Sequence, residues 1–380
     1  MTESVLVVGV TTRALAVSAS RAGYRVTAVD AFGDLDLRAA ATVVALRKDC
    51  GPGYSPAAAV EAAGPLPRDL VAYTSNFENY PEEVARLARG GSLLGNLPEV
   101  LRRVRDPLEL MRVLRRRGFA TPETRSTSPT GSGAWLLKPR RSGGGHNIAP
   151  WRGGRAVPRT SYLQERIAGI PGSLIFAADG RNAVLLGLTR QLIGDARLGS
   201  AGFHYCGSLL ASGRAELFPE QEALLRTAPA LAASVTEEFG LVGLNGLDFV
   251  AREGVLYPIE VNPRFSASME LVERAQGLSL FELHERACRG VLPRAPVPAS
   301  RLFGKAIVFA RRNVTLPDTR RWLTDDSFAD VPHPGEHIRR GHPICTVFEE
   351  SRDADACYRG LIRRSAQVYR AAESGKRGAA

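Results

Sequence analysis

The sequence predicts an α/β unit followed by a larger α+β part, and three observations lead to this fold class. A chain of 380 residues is longer than one modest hydrophobic core requires. Residues 5–8 and 25–29 are apolar runs on either side of an alanine-rich segment, which is typical of a βαβ unit in a parallel sheet. Residues 246–250 and 256–262 read as two strands joined by a Glu-Gly turn, the pattern of an antiparallel hairpin.

The composition of the chain bounds its class of function. Hydrophobic residues make up 44% and charged residues 23%, which is ordinary globular usage and argues against a largely disordered chain. Fifty Lys and Arg against 39 Asp and Glu give a net charge of +11, which favours anionic partners such as phosphates, carboxylates, nucleic acid or acidic lipid. Because aromatic residues are only 7% and the arginines are scattered, we expect no nucleic-acid partner.

The cysteines and the first residues predict a reducing compartment. The cysteines are widely spaced without a Cys-x-x-Cys pair, so neither a disulfide framework nor a four-thiolate zinc site is indicated: Cys50, Cys206, Cys288, Cys345 and Cys357. An acid at Glu3 stands where a signal peptide carries positive charge, and no apolar run approaches the ~18 residues of a membrane span. We therefore expect a soluble, cytoplasmic protein with no membrane partner.

The opening βαβ unit carries a first candidate residue at its turn. Gly9 follows the first apolar run and Asp30 closes the second, a spacing that suggests a dinucleotide fold. However, residues 10–13 lack the further glycines that a pyrophosphate turn needs, so NAD or FAD binding is disfavoured. Arg13 at this turn is a candidate for holding a substrate carboxylate, and the alternative is a solvated surface arginine.

A second pair of candidates follows the apolar run at residues 69–74. Residues 75–79 come directly after this predicted strand, at its carboxyl end, where open α/β sheets place their ligand crevice. Glu78 and Asn79 are therefore candidate site residues. The alternative is a plain turn before a helix that begins at Pro81.

Capping and linker patterns divide the rest of the chain. Asp106 as N-cap and Pro107 at the first helical position predict a helix over residues 107–118. Residues 120–133 and 292–299 are rich in proline and small or polar residues and read as linkers. The predicted units are 1–95, 96–290 and 300–370, followed by a disordered tail at 371–380.

A lysine and a glycine loop form a candidate phosphate site. Lys138 ends the apolar run that starts at Trp135, and the Ser142-Gly-Gly-Gly145 loop with His146 follows it. A strand-end lysine and a flexible loop whose backbone N–H groups close over oxygens can hold a polyphosphate between them. The loop is not a Walker A sequence, and a glycine-containing surface hairpin is the alternative.

The predicted hairpin carries oxygen ligands for a metal ion. Since side chains alternate along a strand, Glu260, Asn262 and Arg264 lie on one face, and Asp248 lies on the facing strand. Three oxygen ligands without histidine or thiolate are a set that Mg²⁺ prefers. Arg264 adds a guanidinium for a bound phosphate. The alternative is that Asp248 and Glu260 are exposed hairpin residues.

Together these motifs resemble the ATP-grasp superfamily, and within it the carboxylate–amine ligases. The resemblance covers residues 1–290 and rests on an ordered set: Lys138, the loop Ser142-Gly-Gly-Gly145, Gln164-Glu165-Arg166-Ile167, Asp248 and Glu260-x-Asn262-x-Arg264. It implies a Rossmann-like pre-ATP-grasp domain at residues 1–95 and a two-lobed ATP-grasp domain at 96–290. The stretch 330–346 resembles the β-rich closing segment of biotin-carboxylase-like members, which implies a small C-terminal β-rich segment.

The resemblance also implies a role for each matching residue. ATP would lie between the two lobes, with Mg²⁺ or Mn²⁺ as the metal. The metal ligands would be Asp248, Glu260 and Asn262, and the catalytic cations Lys138 and Arg264. The nucleotide-binding residues would be Lys138, Ser142, Gly143, Gly144, Gly145, His146, Gln164, Glu165 and Ile167, the last three framing adenine.

The sequence departs from the family pattern at one position. Many members carry a phosphate-binding lysine just after the aspartate that corresponds to Asp106, where this chain has Pro107. Arg105 or Arg103 is the available substitute, or else that contact is absent.

The reaction that the resemblance implies is carboxylate activation. A substrate carboxylate takes the γ-phosphoryl group of ATP, and an amine displaces phosphate from the acyl phosphate, leaving ADP. We expect glutamate or another amino acid to be ligated in cofactor or secondary-metabolite biosynthesis, with small-molecule partners and a homodimer. Candidate substrate residues are Arg13, Glu78 and His204. The alternative is an ATP-binding phosphotransferase or nucleotide-sensing regulator on the same scaffold.

Two histidine–cysteine patterns suggest chemistry that the sequence disfavours. Cys206 beside His204 suggests covalent catalysis, but acyl-phosphate chemistry needs no side-chain nucleophile. A second cluster has side chains that suit zinc, but Pro334 and Gly335 prevent the helix that would bring its first two histidines together: His333, His337, His342 and Cys345.

Overall fold

The computed structural model of the chain describes residues 3–49, 53–129, 133–211, 215–295 and 301–374. Its helices are α1 Arg13–Arg21, α2 Leu35–Ala40, α3 Leu46–Asp49, α4 Pro56–Ala63, α5 Pro81–Leu87, α6 Pro98–Val104, α7 Pro107–Arg116, α8 Gln221–Phe239, α9 Met269–Gln276, α10 Leu280–Cys288 and α11 Ala354–Ser374. Its strands are β1 Ser4–Val8, β2 Arg25–Asp30, β3 Thr42–Ala45, β4 Leu70–Tyr73, β5 Ser92–Leu94, β6 Thr124–Arg125, β7 Trp135–Pro139, β8 Ala149–Pro150, β9 Ser161–Glu165, β10 Ile170–Asp179, β11 Ala183–Ile193, β12 Tyr205–Ala211, β13 Val242–Arg252, β14 Val255–Asn262, β15 Leu302–Phe309, β16 Val314–Thr315, β17 Phe328–Ala329, β18 His337–Ile338 and β19 Pro343–Ser351.

The N-terminal unit is built on a parallel sheet of five strands in the order β3-β2-β1-β4-β5. Val5 and Val7 of β1 pack in a cluster with α1, whereas Leu6 and Val8 pack in another with α4 and α5. Because successive side chains point to opposite faces, a strand covered by helices on both sides must be apolar throughout. The predicted βαβ opening is confirmed, with β1 and β2 parallel.

A small antiparallel sheet of four strands, in the order β6-β9-β7-β8, follows this unit. Lys138 of β7 is paired with Tyr162 of β9, and Leu136 with Gln164. Paired residues share a face of the sheet, and so do residues two positions apart on one strand. Lys138 and Gln164 therefore point to the same side.

An antiparallel sheet of eight strands forms the largest layer, in the order β14-β13-β10-β11-β12-β15-β19-β17. Leu174 and Phe176 of β10 pack in one core with α8, and the alternate residues Ile175 and Ala177 pack in another with α9 and α10. Helices therefore cover both faces of the sheet. The predicted hairpin forms as β13 and β14, and the C-terminal strands β15, β19 and β17 continue the same sheet.

Helix α7 begins where the capping pattern predicts. The Asp106 carboxylate accepts hydrogen bonds from the N–H groups of Leu108 and Glu109 at 2.8 and 3.0 Å. These bonds satisfy two donors that a helix start leaves without an intrahelical partner. The helix ends at Arg116, slightly before the predicted end at 118.

The predicted disordered tail at 371–380 begins too early. Helix α11 runs to Ser374, and Ala372 is buried within it. Residues 375–380, Cys50 and residues 296–299 of the second predicted linker lie outside the described residues. In the described ranges the cysteines are free thiols, and no helix is long and apolar enough to cross a membrane.

Candidate active site

A cleft opens where the small sheet, the start of α7 and strand β14 meet. The lysine, the glycine loop and the hairpin all contribute to its lining, together with the α6–α7 junction: Arg105, Lys138, Ser142, Gly143, Gly145 and Glu260. The fold thus brings together residues that the sequence placed in three separate motifs.

Lys138 lines this cleft, and Gln164 holds it from behind the lining residues. Lys138 is 7% exposed, and its Nζ donates to Gln164 Oε1 at 3.0 Å. Gln164 Nε2 donates in turn to the carbonyl of Ile259 on β14 at 3.3 Å, which ties the small sheet to the hairpin. Glu165 ends β9 and its N–H donates to the carbonyl of Glu123 at 2.8 Å. Ile167 follows, and both residues lie beyond the lining of the cleft.

The glycine loop is folded against the connection between β11 and β12. The Tyr205 N–H donates to the Gly144 carbonyl at 3.0 Å. Gly145 has φ +77°, and a Cβ there would lie 1.8 Å from the Phe203 carbonyl oxygen, so only glycine fits at this contact. The rings of His146 and His204 meet with centroids 4.4 Å apart. Burial and the neighbouring His204 lower the pKa of His146.

The hairpin places two carboxylates opposite each other. Asp248 and Glu260 are register partners on β13 and β14. Asp248 accepts from Gln191 Nε2 and from Asn262 Nδ2, each at 3.0 Å. Burial, reinforced by the charge of Glu260, raises the pKa of Asp248 to about 6. Burial acts in the same direction on Glu260, but Arg105 and Lys138 outweigh it and lower the pKa of that carboxyl group.

This donor set fits a hard divalent cation. Mg²⁺ is commonly bound through one or two carboxylates, with water and substrate phosphates completing its shell. Asp248 and Glu260 supply two such carboxylates. Burial is the main cause of the raised pKa of Asp248, and the charge of Glu260 adds to it, a repulsion that a bound cation would relieve. In the described part of the chain no three His, Cys, Asp or Glu side chains group as a metal site. The remaining ligands would therefore be Asn262, water or phosphate.

Arg264 is fixed by the N-terminal unit. Its Nη2 donates to Glu78 Oε1 at 2.7 Å, and its Nη1 to the carbonyl of Phe265 at 3.0 Å. Glu78 is fully buried and Arg264 is 8% exposed. Glu78 Oε2 and Arg264 Nε are buried without a hydrogen-bond partner. Glu78, predicted to face substrate, thus lies against the predicted catalytic arginine, with one oxygen still unpaired.

Arg105 makes more contacts at the cleft than the sequence indicates. Its Nη1 donates to Glu260 Oε2 at 3.2 Å and to the carbonyl of Val261 at 2.9 Å. Its Nη2 donates to Asn79 Oδ1 at 3.0 Å and to the Ser142 carbonyl at 3.2 Å. The missing lysine at Pro107 was the sequence signal that pointed to this residue.

The other possible substitute, Arg103, lies elsewhere. Its guanidinium pairs with Glu109 at 3.1 Å, and its side chain is 47% exposed. Arg103 is also absent from the lining of the cleft within the described residues. Arg105 is therefore the cation that the fold presents at this position.

Arg13 is neither solvated nor placed among the cleft residues. It is 4% exposed and its Nη2 donates to Glu270 Oε2 at 3.0 Å. Its Nε donates to Asp330 Oδ1 at 2.9 Å, and Lys305 Nζ reaches the same Glu270 carboxylate at 2.6 Å. The alternative of a surface arginine is wrong, because this guanidinium joins the N-terminal unit to α9 and to the C-terminal segment.

The disfavoured histidine–cysteine patterns do not assemble into reactive sites among the described residues. Burial raises the pKa of the Cys206 thiol, which opposes its use as a nucleophile. His333 Nε2 lies 2.8 Å from the Gly33 carbonyl, and His337 Nδ1 lies 3.3 Å from Thr315 Oγ1. No grouping of three zinc-type ligands forms among these described side chains.

Comparison with known proteins places the cleft in a recognised domain. Residues 104–268 match the family model described as the ATP-grasp domain. An uncharacterized protein of Methanocaldococcus jannaschii is 22% identical over 372 residues, which cover 90% of this chain and 87% of that protein.

Two solved structures share the fold over almost the whole chain. The biotin carboxylase domain of 2-oxoglutarate carboxylase from Hydrogenobacter thermophilus, in complex with MgADP, ADP and bicarbonate, is similar with a TM-score of 0.66 and 16% identity, covering 92% of this chain and 86% of that one. The L-amino acid ligase of Bacillus licheniformis is similar with a TM-score of 0.66 and 15% identity, covering 96% and 97%. The predicted fold class and the resemblance to the ATP-grasp superfamily are confirmed.

Proposed function

We propose that this chain, which contains an ATP-grasp domain at residues 104–268, is an ADP-forming ligase. It activates a substrate carboxylate as an acyl phosphate and transfers the acyl group to an amine. The proposal extends from the domain to the units predicted around it: a pre-ATP-grasp domain at 1–95, the ATP-grasp domain at 96–290 and a C-terminal segment at 300–370.

The observation that carries the proposal is the charge arrangement around Glu260. This carboxylate faces Asp248 across the hairpin and lies 3.2 Å from the guanidinium of Arg105. Lys138 and the glycine loop line the same cleft. Carboxylates that take a cation, next to fixed positive side chains, suit phosphoryl transfer, in which positioning and electrostatics supply most of the catalysis.

ATP and Mg²⁺ would supply the transferable phosphoryl group and the charge neutralisation that this transfer needs. Asp248, Glu260 and Asn262 would hold the metal. Lys138 and Arg105 would hold phosphate oxygens, and the loop from Ser142 to His146 would close over them. Gln164, Glu165 and Ile167 would frame adenine.

Arg264 is the residue that we assign to the reacting carboxylate. Its guanidinium is fixed by Glu78 and by the Phe265 carbonyl, and its Nη2 lies 3.4 Å from Asn262 Oδ1. A guanidinium fixed in this way beside the metal ligands would attract and orient a carboxylate for attack on phosphorus through its charge. The acyl phosphate would carry its charge next to the same cation.

The substrates that we propose are an amino acid, glutamate in particular, and a small amine. The net charge of +11 favours acidic substrates, and an L-amino acid ligase is among the solved structures of the same fold. His204, whose ring meets His146 of the glycine loop, is the predicted substrate residue next to that loop. We further propose a cytoplasmic homodimer that acts on small molecules, in cofactor or secondary-metabolite biosynthesis.

The test is product analysis with ATP, Mg²⁺ and pooled amino acids and amines, comparing wild type with Glu260→Ala. We expect ADP and phosphate release that depends on substrate and is lost in the variant. Release of AMP and pyrophosphate would contradict the acyl-phosphate route. Tight binding of MgATP without turnover by any pool would favour the alternative of a phosphotransferase or nucleotide-sensing regulator.

A further inference from the structure

The 3-10 turn Phe77–Asn79 contacts two arginines near Glu260. Glu78 Oε1 accepts from Arg264 Nη2 at 2.7 Å, and Asn79 Oδ1 accepts from Arg105 Nη2 at 3.0 Å. The turn follows strand β4 at its carboxyl end. Adjacent residues of the N-terminal unit therefore hold two cations that belong to the following part of the chain.

Asn79 also reaches the glycine loop. Its Nδ2 donates to the Ser142 carbonyl at 3.2 Å, and Arg105 Nη2 donates to that same carbonyl at 3.2 Å. Asn79 is 5% exposed, so its amide is fixed inside the molecule. One side chain thus joins the N-terminal turn, the α6–α7 junction and the glycine loop.

The contacts of Arg105 explain why its position depends on a residue of the N-terminal unit. Its Nε is buried without a hydrogen-bond partner, so only its two Nη atoms hold the guanidinium. Nη1 is bonded to Glu260 and Val261, and Nη2 is bonded to Asn79 and Ser142. A long side chain that is ordered before its ligand arrives avoids paying conformational entropy on binding.

We infer that Asn79 is a positioning residue, which sets the affinity for the polyphosphate of a nucleotide by holding Arg105 and the glycine loop in place. This inference rests on the proposed function. The N-terminal unit then completes the nucleotide site without touching the nucleotide. The affinity for a nucleoside monophosphate, which lacks the β- and γ-phosphates, then does not depend on Asn79.

The experiment is calorimetric titration of the full chain with MgADP and with AMP, for wild type, Asn79→Ala and Asn79→Asp. We expect Asn79→Ala to raise the Kd for MgADP roughly 10-fold, in line with the loss of hydrogen bonds to a charged group. The Kd for AMP stays the same. Asn79→Asp keeps the oxygen that Arg105 contacts but loses the donor to the Ser142 carbonyl, so it restores only part of the MgADP affinity.

Two controls separate positioning from folding. Glu83→Gln changes a partly exposed residue of the same unit, whose partner is the exposed Arg86 at 2.8 Å, and leaves both Kd values unchanged. A double-mutant cycle with Arg105→Ala tests the route: in that background Asn79→Ala keeps only the part of its effect that acts through the glycine loop, so it weakens MgADP binding less than in the wild type. Melting temperatures report whether each variant is folded.

Several outcomes would overturn the inference. Equal weakening of MgADP and AMP by Asn79→Ala would indicate a merely structural role, and additive effects of Asn79→Ala and Arg105→Ala would exclude action through Arg105. Unchanged MgADP affinity in Asn79→Ala, with normal wild-type binding, would overturn the inference alone. Failure of the wild type to bind MgADP would remove the proposed function and the inference with it.

Discussion

Asp248 and Glu260 face each other across the hairpin, yet their pKa values move in opposite directions. Burial raises the pKa of Asp248, and the charge of Glu260 adds to the rise, whereas Arg105 and Lys138 outweigh burial at Glu260. One carboxylate is thus kept ionised by protein cations. The other is the proton-sensitive member of the pair, and a bound cation would compete with its proton.

Metal affinity should therefore fall on acidification. With the pKa of Asp248 at about 6, lowering the pH from 7.5 to 5.5 protonates most of this carboxylate, and Mn²⁺ affinity should decrease roughly 4-fold. Electron paramagnetic resonance of Mn²⁺ without nucleotide measures this, because no phosphate then titrates in the same range. In Asp248→Asn any residual Mn²⁺ binding should lose this pH dependence. Equal wild-type affinity at both pH values would contradict the assignment of Asp248 as a ligand.

The glycine loop provides a matched pair of substitutions. At Gly145 the left-handed backbone and the 1.8 Å approach of a Cβ to Phe203 oxygen forbid alanine, whereas a Cβ on Gly143 meets nothing within 4 Å. Gly145→Ala should detach the loop from the β11–β12 connection and raise the Kd for MgADP roughly 10-fold, with little loss of global stability because the loop is peripheral. Gly143→Ala, whose Cβ meets no protein atom, should raise the Kd less than Gly145→Ala does. Equal affinities of the two variants, by calorimetry, would contradict loop closure over phosphate.

Arg105 and Arg103 test which arginine takes the place of the phosphate-binding lysine that many ATP-grasp proteins carry. Arg105→Ala should weaken MgADP by at least 10-fold, since a cation next to phosphate is lost. Arg105→Lys should restore part of the affinity, because lysine keeps the charge but not the planar fork that contacts Glu260 and Asn79 together. Arg103→Ala, which removes an exposed pair with Glu109, should bind as wild type. A larger loss for Arg103→Ala than for Arg105→Ala would reverse the assignment.

The parts of the site that the sequence predicted are those that local rules determine. Period-two alternation and a Glu-Gly turn place Asp248 opposite Glu260, and strand pairing brings Lys138 to Gln164. The contact of Arg105 with Asn79 joins two loops of different units, and no spacing rule encodes it. Strand alternation likewise says nothing about whether the glycine loop rests on Phe203, since that depends on how β11 and β12 are connected.

The pairing of Arg13 with Asp330 is the contact that local sequence rules are least able to predict, because 317 positions separate the two residues. At the turn after β1 the sequence offered a substrate ligand or a surface residue, and the fold instead buries the guanidinium among carboxylates. A buried charge that loses its partner is costly, so Arg13→Ala should lower the free energy of unfolding by about 3–5 kcal/mol at neutral pH. Chemical denaturation measures this difference.

The pH dependence of the destabilisation by Arg13→Ala identifies the cause of the destabilisation. Burial alone would raise the pKa values of Glu270 and Asp330, but Arg13 and Lys305 outweigh it, so both carboxyl groups have lowered pKa values in the folded chain. A carboxyl group with a lowered pKa stabilises the fold above its unfolded value of about 4, and that stability is lost as the pH falls. The destabilisation by Arg13→Ala should therefore be fully present at neutral pH and shrink as the pH falls below about 4, through the lowered pKa values of these carboxyl groups.

Arg21→Ala is the matched control for Arg13. Arg21 ends the same helix, its side chain is 70% exposed, and it lies 3.8 Å from Glu273. An exposed pair of this kind contributes about 0–1 kcal/mol, so Arg21→Ala should leave the unfolding curve almost unchanged. If Arg13→Ala is as stable as Arg21→Ala at pH 7, the guanidinium does not hold the three parts of the chain together. Arg13 would then again be a candidate for binding a substrate carboxylate, as its position in the turn after β1 suggests.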